Sequence, residues 1–191
     1  MASSRHHNTY IDGAAIFWTN SIVEGIPILR SPTAARSLVE IIEDCRCGYG
    51  VKIPGYVVMP DHFHIIAWAE DVNHTKLFIR QILSRSSATF AVMTDTAADR
   101  GDAHARLWSQ IFHAKATGKS TVRIWKERGR AFPITTEAVL LEKLQYIHNN
   151  PVRAGLVEHV EDWEFSSAAC LASGHSPAKH QRLLLDTGES T

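Results

Sequence analysis

The stretch Gly55-Tyr-Val-Val-Met-Pro-Asp-His-Phe-His-Ile-Ile-Ala-Trp68 limits what this chain can fold into more than any other. β-prone apolar residues run up to Pro60-Asp61 and resume after it, so the pair reads as the turn of a hairpin. The strands predicted are Val51–Met59 and Phe63–Trp68. Side chains alternate faces along a strand, so His62 and His64 leave the sheet side by side. That geometry suits one metal ion. It equally suits two ordinary strand histidines satisfied by hydrogen bonds, and the motif alone does not separate the two readings.

The rest of the chain supplies partners for the hairpin. Ala14–Val23 reads as a first strand, running on toward Leu29. Ser31-Pro32-Thr33 opens a helix, Pro being suited to the first turn. Leu38, Ile41 and Ile42 give it an apolar face, and Gly48 and Gly50 end it. His74–Met93 reads as a second helix, with Leu77, Ile82, Leu83 and Phe90 facing inward. Thr94–Ala105, polar and rich in alanine, reads as a surface loop. Leu107–Ala116 fits a short helix or a strand equally well. Val122, Ile124 and Trp125 predict a short strand within 118–129.

Thr135 or Thr136 caps a last helix that runs to about Asn150, where Pro151 stops it. Leu140, Leu141, Leu144 and Ile147 form its core face. Tyr146 falls away from that face, with Asn150 one turn on beside it. Strands and helices in this mixed order, with a hairpin in the middle, predict an α+β fold: an antiparallel sheet with helices packed on it.

With 191 residues, 45% apolar and 21% charged, the chain is sized for one domain. The organisation expected is a flexible N-terminus over 1–13, a single domain over 14–172 and a polar tail over 173–191. Formal net charge is zero, so overall charge selects no partner. Its distribution is uneven: from Arg106 to Arg130 there are seven basic residues against one acid, Glu127. Trp108, Phe112 and Trp125 are interleaved with them. Charge plus stacking can hold single-stranded nucleic acid; alternatively the aromatics belong to the core and the charges to solvent. Cys45, Cys47 and Cys170 form no disulfide framework. No apolar signal core begins the chain and no window reaches a membrane-spanning length. The expectation is a cytoplasmic protein without a membrane partner.

In chemical terms, the His62–His64 pair offers two metal ligands, and Asn150 or Asp61 offers an oxygen as a third. Tyr146 is a nucleophile only if a metal or base stands close by; otherwise it is a half-buried helical tyrosine.

Together these segments resemble the REP-associated tyrosine transposases, which belong to the single-tyrosine HUH endonucleases and are related to the IS200-like transposases. The resemblance rests on Gly55–Ile66, Ile124-Trp-Lys-Glu-Arg-Gly129, Tyr146-Ile-His-Asn-Asn-Pro-Val-Arg-Ala-Gly-Leu-Val157 and Trp163-Glu-Phe-Ser-Ser167, in order and spacing over roughly residues 50–170. It implies a ferredoxin-like fold. It also implies cleavage and rejoining of single-stranded DNA beside a hairpin, through a 5′-phosphotyrosine intermediate. His62 and His64 match the metal-ligating pair, Asn150 the position of a third ligand and Tyr146 the nucleophile. The metal implied is Mg²⁺ or Mn²⁺, and the protein would act as a monomer or homodimer. Arg123, Lys126, Arg128, Arg130 and Arg153 are the candidates for gripping phosphates.

The chain departs from the family at Asp61, where Asn is common. It departs again at Ala131-Phe-Pro-Ile-Thr135, where an Asp-His pair often leads into the tyrosine helix. Two other readings stand beside this one. One is a catalytically silent hairpin-DNA-binding protein. The other is a His-x-His metal hydrolase, although barrels of that type are typically about 250 residues long and leave Tyr146 without a role.

Overall fold

The alternating residues of the hairpin form two paired strands in a computed structural model, which describes residues 9–116 and 122–172. Lys52–Val58 (β2) and His62–Trp68 (β3) lie antiparallel, and the Met59 N–H donates to the His62 carbonyl at 2.8 Å to close the turn. Ala15–Ser21 (β1) pairs with the other side of β3, and Arg130–Ile134 (β4) pairs with β1. The sheet order is β2-β3-β1-β4, with every neighbouring pair antiparallel.

Pro32–Tyr49 (α1) begins with Pro at its first turn and ends at Gly50, whose φ of 62° is the left-handed conformation of a helix C-cap. Val72–Asp99 (α2) and Ala103–Ala114 (α3) follow. The three helices share a core with one face of the sheet. Leu38, Ile42, Phe78, Ile82, Phe90 and Phe112 meet Trp18, Phe63 and Ile65 there. Glu137–Arg153 (α4) covers the other face, where Ile147 meets Val57, Ile66 and Ile134. Ser167–Ala172 (α5) lies against β2, whose outer edge is met by the Val57–Ser166 bridge. This is the expected α+β architecture, with a helix layer on each face of an antiparallel sheet.

Several local expectations are corrected. The first strand stops at Ser21, because the chain turns through Val23–Gly25, where Gly25 has a φ of 68°. Thr94–Ala105 is not a loop. α2 continues to Asp99 with the Thr94 hydroxyl donating back to the Phe90 carbonyl at 2.8 Å, and Ala97 and Ala98 are strong helix formers. Leu107–Ala116 resolves as helix: Asp102 caps α3 by accepting from the Ala105 N–H at 2.9 Å. The described part of 118–129 forms only an isolated bridge between Ile22 and Trp125. The fourth strand lies later, at Arg130–Ile134, where Pro133 is tolerated because β4 is an edge.

Pro151 does not stop α4, which runs two residues further to Arg153. Proline there removes a single donor in the last turn, and Gly155, at a φ of 67°, ends the run. Leu141 is 49% exposed, outside the core face on which Leu140, Leu144 and Ile147 lie. The expected tail over 173–191 and residues 1–8 of the expected N-terminal segment lie outside the described residues.

Candidate active site

Strand register builds the site. Residues directly opposite in an antiparallel pair share a face. Ser21 stands opposite His62, Thr19 opposite His64, and Phe17 opposite Ile66. On the other side of β1, Thr19 stands opposite Arg130 and Phe17 opposite Phe132. These residues therefore occupy the face covered by α4. His64, Thr19 and Arg130 form one row across three strands, and neighbouring strands are about 4.8 Å apart.

The imidazoles of His62 and His64 sit edge to face with centroids 4.9 Å apart. His62 is partly exposed, and its Nδ1 lies 2.6 Å from Asp61 Oδ1. His64 is buried and stacks on Phe17 at 5.5 Å. Burial, with the neighbouring His62 adding to it, pushes its pKa down to about 3, so the ring is neutral in ordinary conditions. Both of its nitrogens are buried without a hydrogen-bond partner. A buried polar atom left unpaired is costly, and a neutral imidazole in that state offers a lone pair. The two rings thus fit the donor chemistry of a divalent cation. Among the described residues no group of three or more His, Cys, Asp or Glu side chains gathers.

α4 brings Tyr146 to the pair. Thr136 starts the helix by accepting from the Val139 N–H at 3.3 Å, and Leu140, Leu144 and Ile147 seat it on the sheet. Gly55 lets it approach closely: a Cβ there would come within 2.5 Å of Leu144 Cδ2 and 2.9 Å of Ile147 Cδ1. A second tie runs through His148, whose Nε2 lies 2.8 Å from Ser167 Oγ, which in turn accepts from the Tyr56 N–H at 3.0 Å. Burial lowers the His148 pKa and keeps that ring neutral as well. Tyr146, 39% exposed, reaches round the flank of the helix. Its ring meets His64 edge-on at 5.5 Å and Phe17 at 6.0 Å.

The remaining candidates divide. Arg153 lies over the Tyr146 ring at 5.4 Å, so it belongs to the site. Arg130 is exposed at the end of the His64 row. The exposed Lys126 is anchored beside the His62 end of the sheet, its N–H donating to the Ser21 carbonyl at 2.8 Å. Arg128 is exposed. Arg123 lies 3.9 Å from Glu127, turned to an ion pair on the loop. Asn150 sits one turn from Tyr146, and its amide nitrogen donates to the Tyr146 carbonyl at 3.0 Å, not to either histidine.

The aromatics of the basic segment are not a stacking surface. Phe112 and Trp125 are buried, and Trp108 packs against the same core. Trp125 is fixed there by donating to Ser86 Oγ at 2.9 Å. Phe17 was not legible as a site residue. The signal that finds it is register: it lies on the same face as the two histidines, one alternation along β1 from Thr19.

The family model described as "Transposase IS200 like" matches residues 27–127, which include the histidine pair but end before Tyr146. A comparison with curated proteins finds no match. Among solved structures, one of a REP-associated tyrosine transposase bound to a REP hairpin matches with a TM-score of 0.57 and 21% identity, over 99% of this chain and 94% of that one. A structure of a proposed transposase from Deinococcus radiodurans R1 matches with a TM-score of 0.42 and 17% identity, over 78% of this chain and 97% of that one. The first likeness shows a shared fold.

Proposed function

The chain belongs to the IS200-like transposase family, and on that premise we propose that it cleaves and rejoins single-stranded DNA beside a hairpin. Tyr146 is the nucleophile in this reading. His62 and His64, with Asn150 as a third donor, hold a divalent ion, Mg²⁺ or Mn²⁺. The observation that carries the reading is the contact between the Tyr146 ring and the buried, unpartnered imidazole of His64. A phenol and a metal-ready nitrogen from distant parts of the chain meet between α4 and the sheet face it covers. The hairpin as substrate is supported by the fold neighbour solved with such a ligand.

A divalent ion held by His62 and His64 would supply positive charge against the charge that develops on the phosphate. Arg153 stands over the Tyr146 ring, where its guanidinium can attract the scissile phosphate. Tyr146 gives up its proton to solvent and its oxygen bonds to phosphorus. The bond from phosphorus to the 3′-oxygen breaks, and that oxygen takes up a proton. The products are a 5′-phosphotyrosine and a free 3′-hydroxyl. Rejoining is the reverse exchange with an incoming 3′-hydroxyl, so bond energy is conserved without a nucleotide cofactor. Arg130, at the end of the His64 row, and Lys126, beside the His62 end of the sheet, carry phosphates of the strand toward the site.

The test is incubation with a pool of hairpin-bearing single-stranded oligonucleotides and Mg²⁺ or Mn²⁺, resolved on a denaturing gel. The reading expects a covalent adduct that disappears in Tyr146→Phe and with chelator. An adduct that survives Tyr146→Phe overturns the nucleophile. Hairpin binding without any adduct, under every metal tried, favours the silent DNA-binding reading.

A further inference from the structure

Asp61 stands in the turn just before the histidine pair, and its carboxylate has a specific partner. Oδ1 lies 2.6 Å from His62 Nδ1. An ionised carboxylate only accepts hydrogen bonds, so in the neutral ring this contact puts the proton on Nδ1 and the lone pair on Nε2. We infer that Asp61 is a positioning residue that fixes the tautomer and orientation of His62 and presents its Nε2 to the metal.

The turn that carries Asp61 is held at several points. The Asp61 carbonyl accepts from the Ile22 N–H at 2.7 Å, and the Pro60 carbonyl from the Leu29 N–H at 3.0 Å. The Met59 N–H donates to the His62 carbonyl. The second carboxylate oxygen faces Gly25, where a Cβ would stand 3.6 Å away. A side chain so placed orients its neighbour at little entropic cost, since its backbone is already fixed. The bond also removes Oδ1 from the candidates for a third ligand. A carboxylate on the far nitrogen of a ligating histidine raises the basicity of the near one and stops the ring from turning. Asparagine can accept the same hydrogen bond, but without the charge.

This inference rests on the metal-binding reading above, and two measurements separate their failures. The tautomer of His62 is read in metal-free protein by two-bond proton–nitrogen NMR correlation, at a pH where the imidazole is neutral. Mn²⁺ affinity is read by electron paramagnetic resonance titration. Wild type should show the proton on Nδ1, and Asp61→Asn should keep it there. Asp61→Ala should lose that preference and weaken Mn²⁺ binding by about 10–100-fold, with Asp61→Asn between it and wild type. A wild-type ring protonated on Nε2, or Asp61→Ala with wild-type tautomer and affinity, overturns the role of Asp61. So does Asp61→Asn binding as poorly as Asp61→Ala while keeping the tautomer, which would leave charge alone as the cause. Wild type that fails to bind Mn²⁺ while His62 holds its proton on Nδ1 refutes the metal assignment instead.

Discussion

Replacing Gly55 by alanine adds one methyl group under α4, and the structure says how far it intrudes. The new carbon would lie 2.5 Å from Leu144 Cδ2 and 2.9 Å from Ile147 Cδ1. Carbon atoms rest at about 3.8 Å, so the shortfall is about 1.3 Å and about 0.9 Å. Ile147 is fully buried and has little room to turn away, so either Leu144 changes rotamer or the helix rises by about 1 Å. Overpacking of this kind costs about 1–3 kcal/mol, a fall in Tm of about 2–12 °C for a domain of this size. Function should suffer more than stability. Tyr146 rides on the same helix, and a misplacement of about 1 Å costs about 100-fold in rate. The assay is thermal unfolding together with the rate of adduct formation. Leu144→Ala is the control: it removes the atom nearest the new methyl, so the double variant should be less destabilised than the two single costs added, by about 1 kcal/mol. Gly55→Ala with wild-type Tm and adduct rate would refute this account of the close approach, and strictly additive costs would refute the named clash.

Other substitutions probe separate parts of the argument. Arg153→Ala should slow adduct formation and lower the salt dependence of DNA binding by about one counterion, read as the slope of log affinity against log salt. Its effect on stability should stay within about 1 kcal/mol, the range for an exposed cation–π contact. Trp125→Phe removes the donor to Ser86 in the core and should cost about 1–3 kcal/mol by denaturant unfolding. An unchanged midpoint would show that the bond contributes nothing. Mn²⁺ at 100 times its Kd should raise the stability of wild type by about 2.7 kcal/mol. His64→Ala should abolish that increment while leaving DNA affinity measurable by anisotropy.

The hairpin was legible because β-prone apolar residues run up to Pro60-Asp61 and resume just after it. The cap of α4 was legible for a similar reason, a threonine followed by helically spaced leucines. β4 was hidden because Arg130 and Pro133 interrupt any alternation, and only the edge position makes that proline acceptable. The last turns of α2 were hidden by composition. Thr94 looks like a loop residue until its hydroxyl is seen bonded to the Phe90 carbonyl. At the site, the residue types were readable but their directions were not. Helical periodicity put Tyr146 on a side of α4 not claimed by leucines. It could not say that a long side chain would bend round onto Phe17 and His64, because that depends on where the sheet lies. Asp61 was read as turn and as possible ligand, and only its distance to His62 distinguishes a third role.

The two faces of the sheet are unequally backed. Three helices bury a broad apolar layer on one side, whereas Val57, Met59, Ile66, Ile134 and Ile147 are the buried hydrophobics of the smaller cluster under α4. Local opening follows the amount of surface buried, so α4 should detach before the rest of the molecule unfolds. Its amides should then exchange with solvent sooner than those of β1 and β3. Tyr146, the proposed nucleophile, thus sits on the less deeply backed layer and the two histidines on the central sheet. A substrate that touches both spans the seam between them, and its binding should slow exchange in α4 more than in β1 and β3.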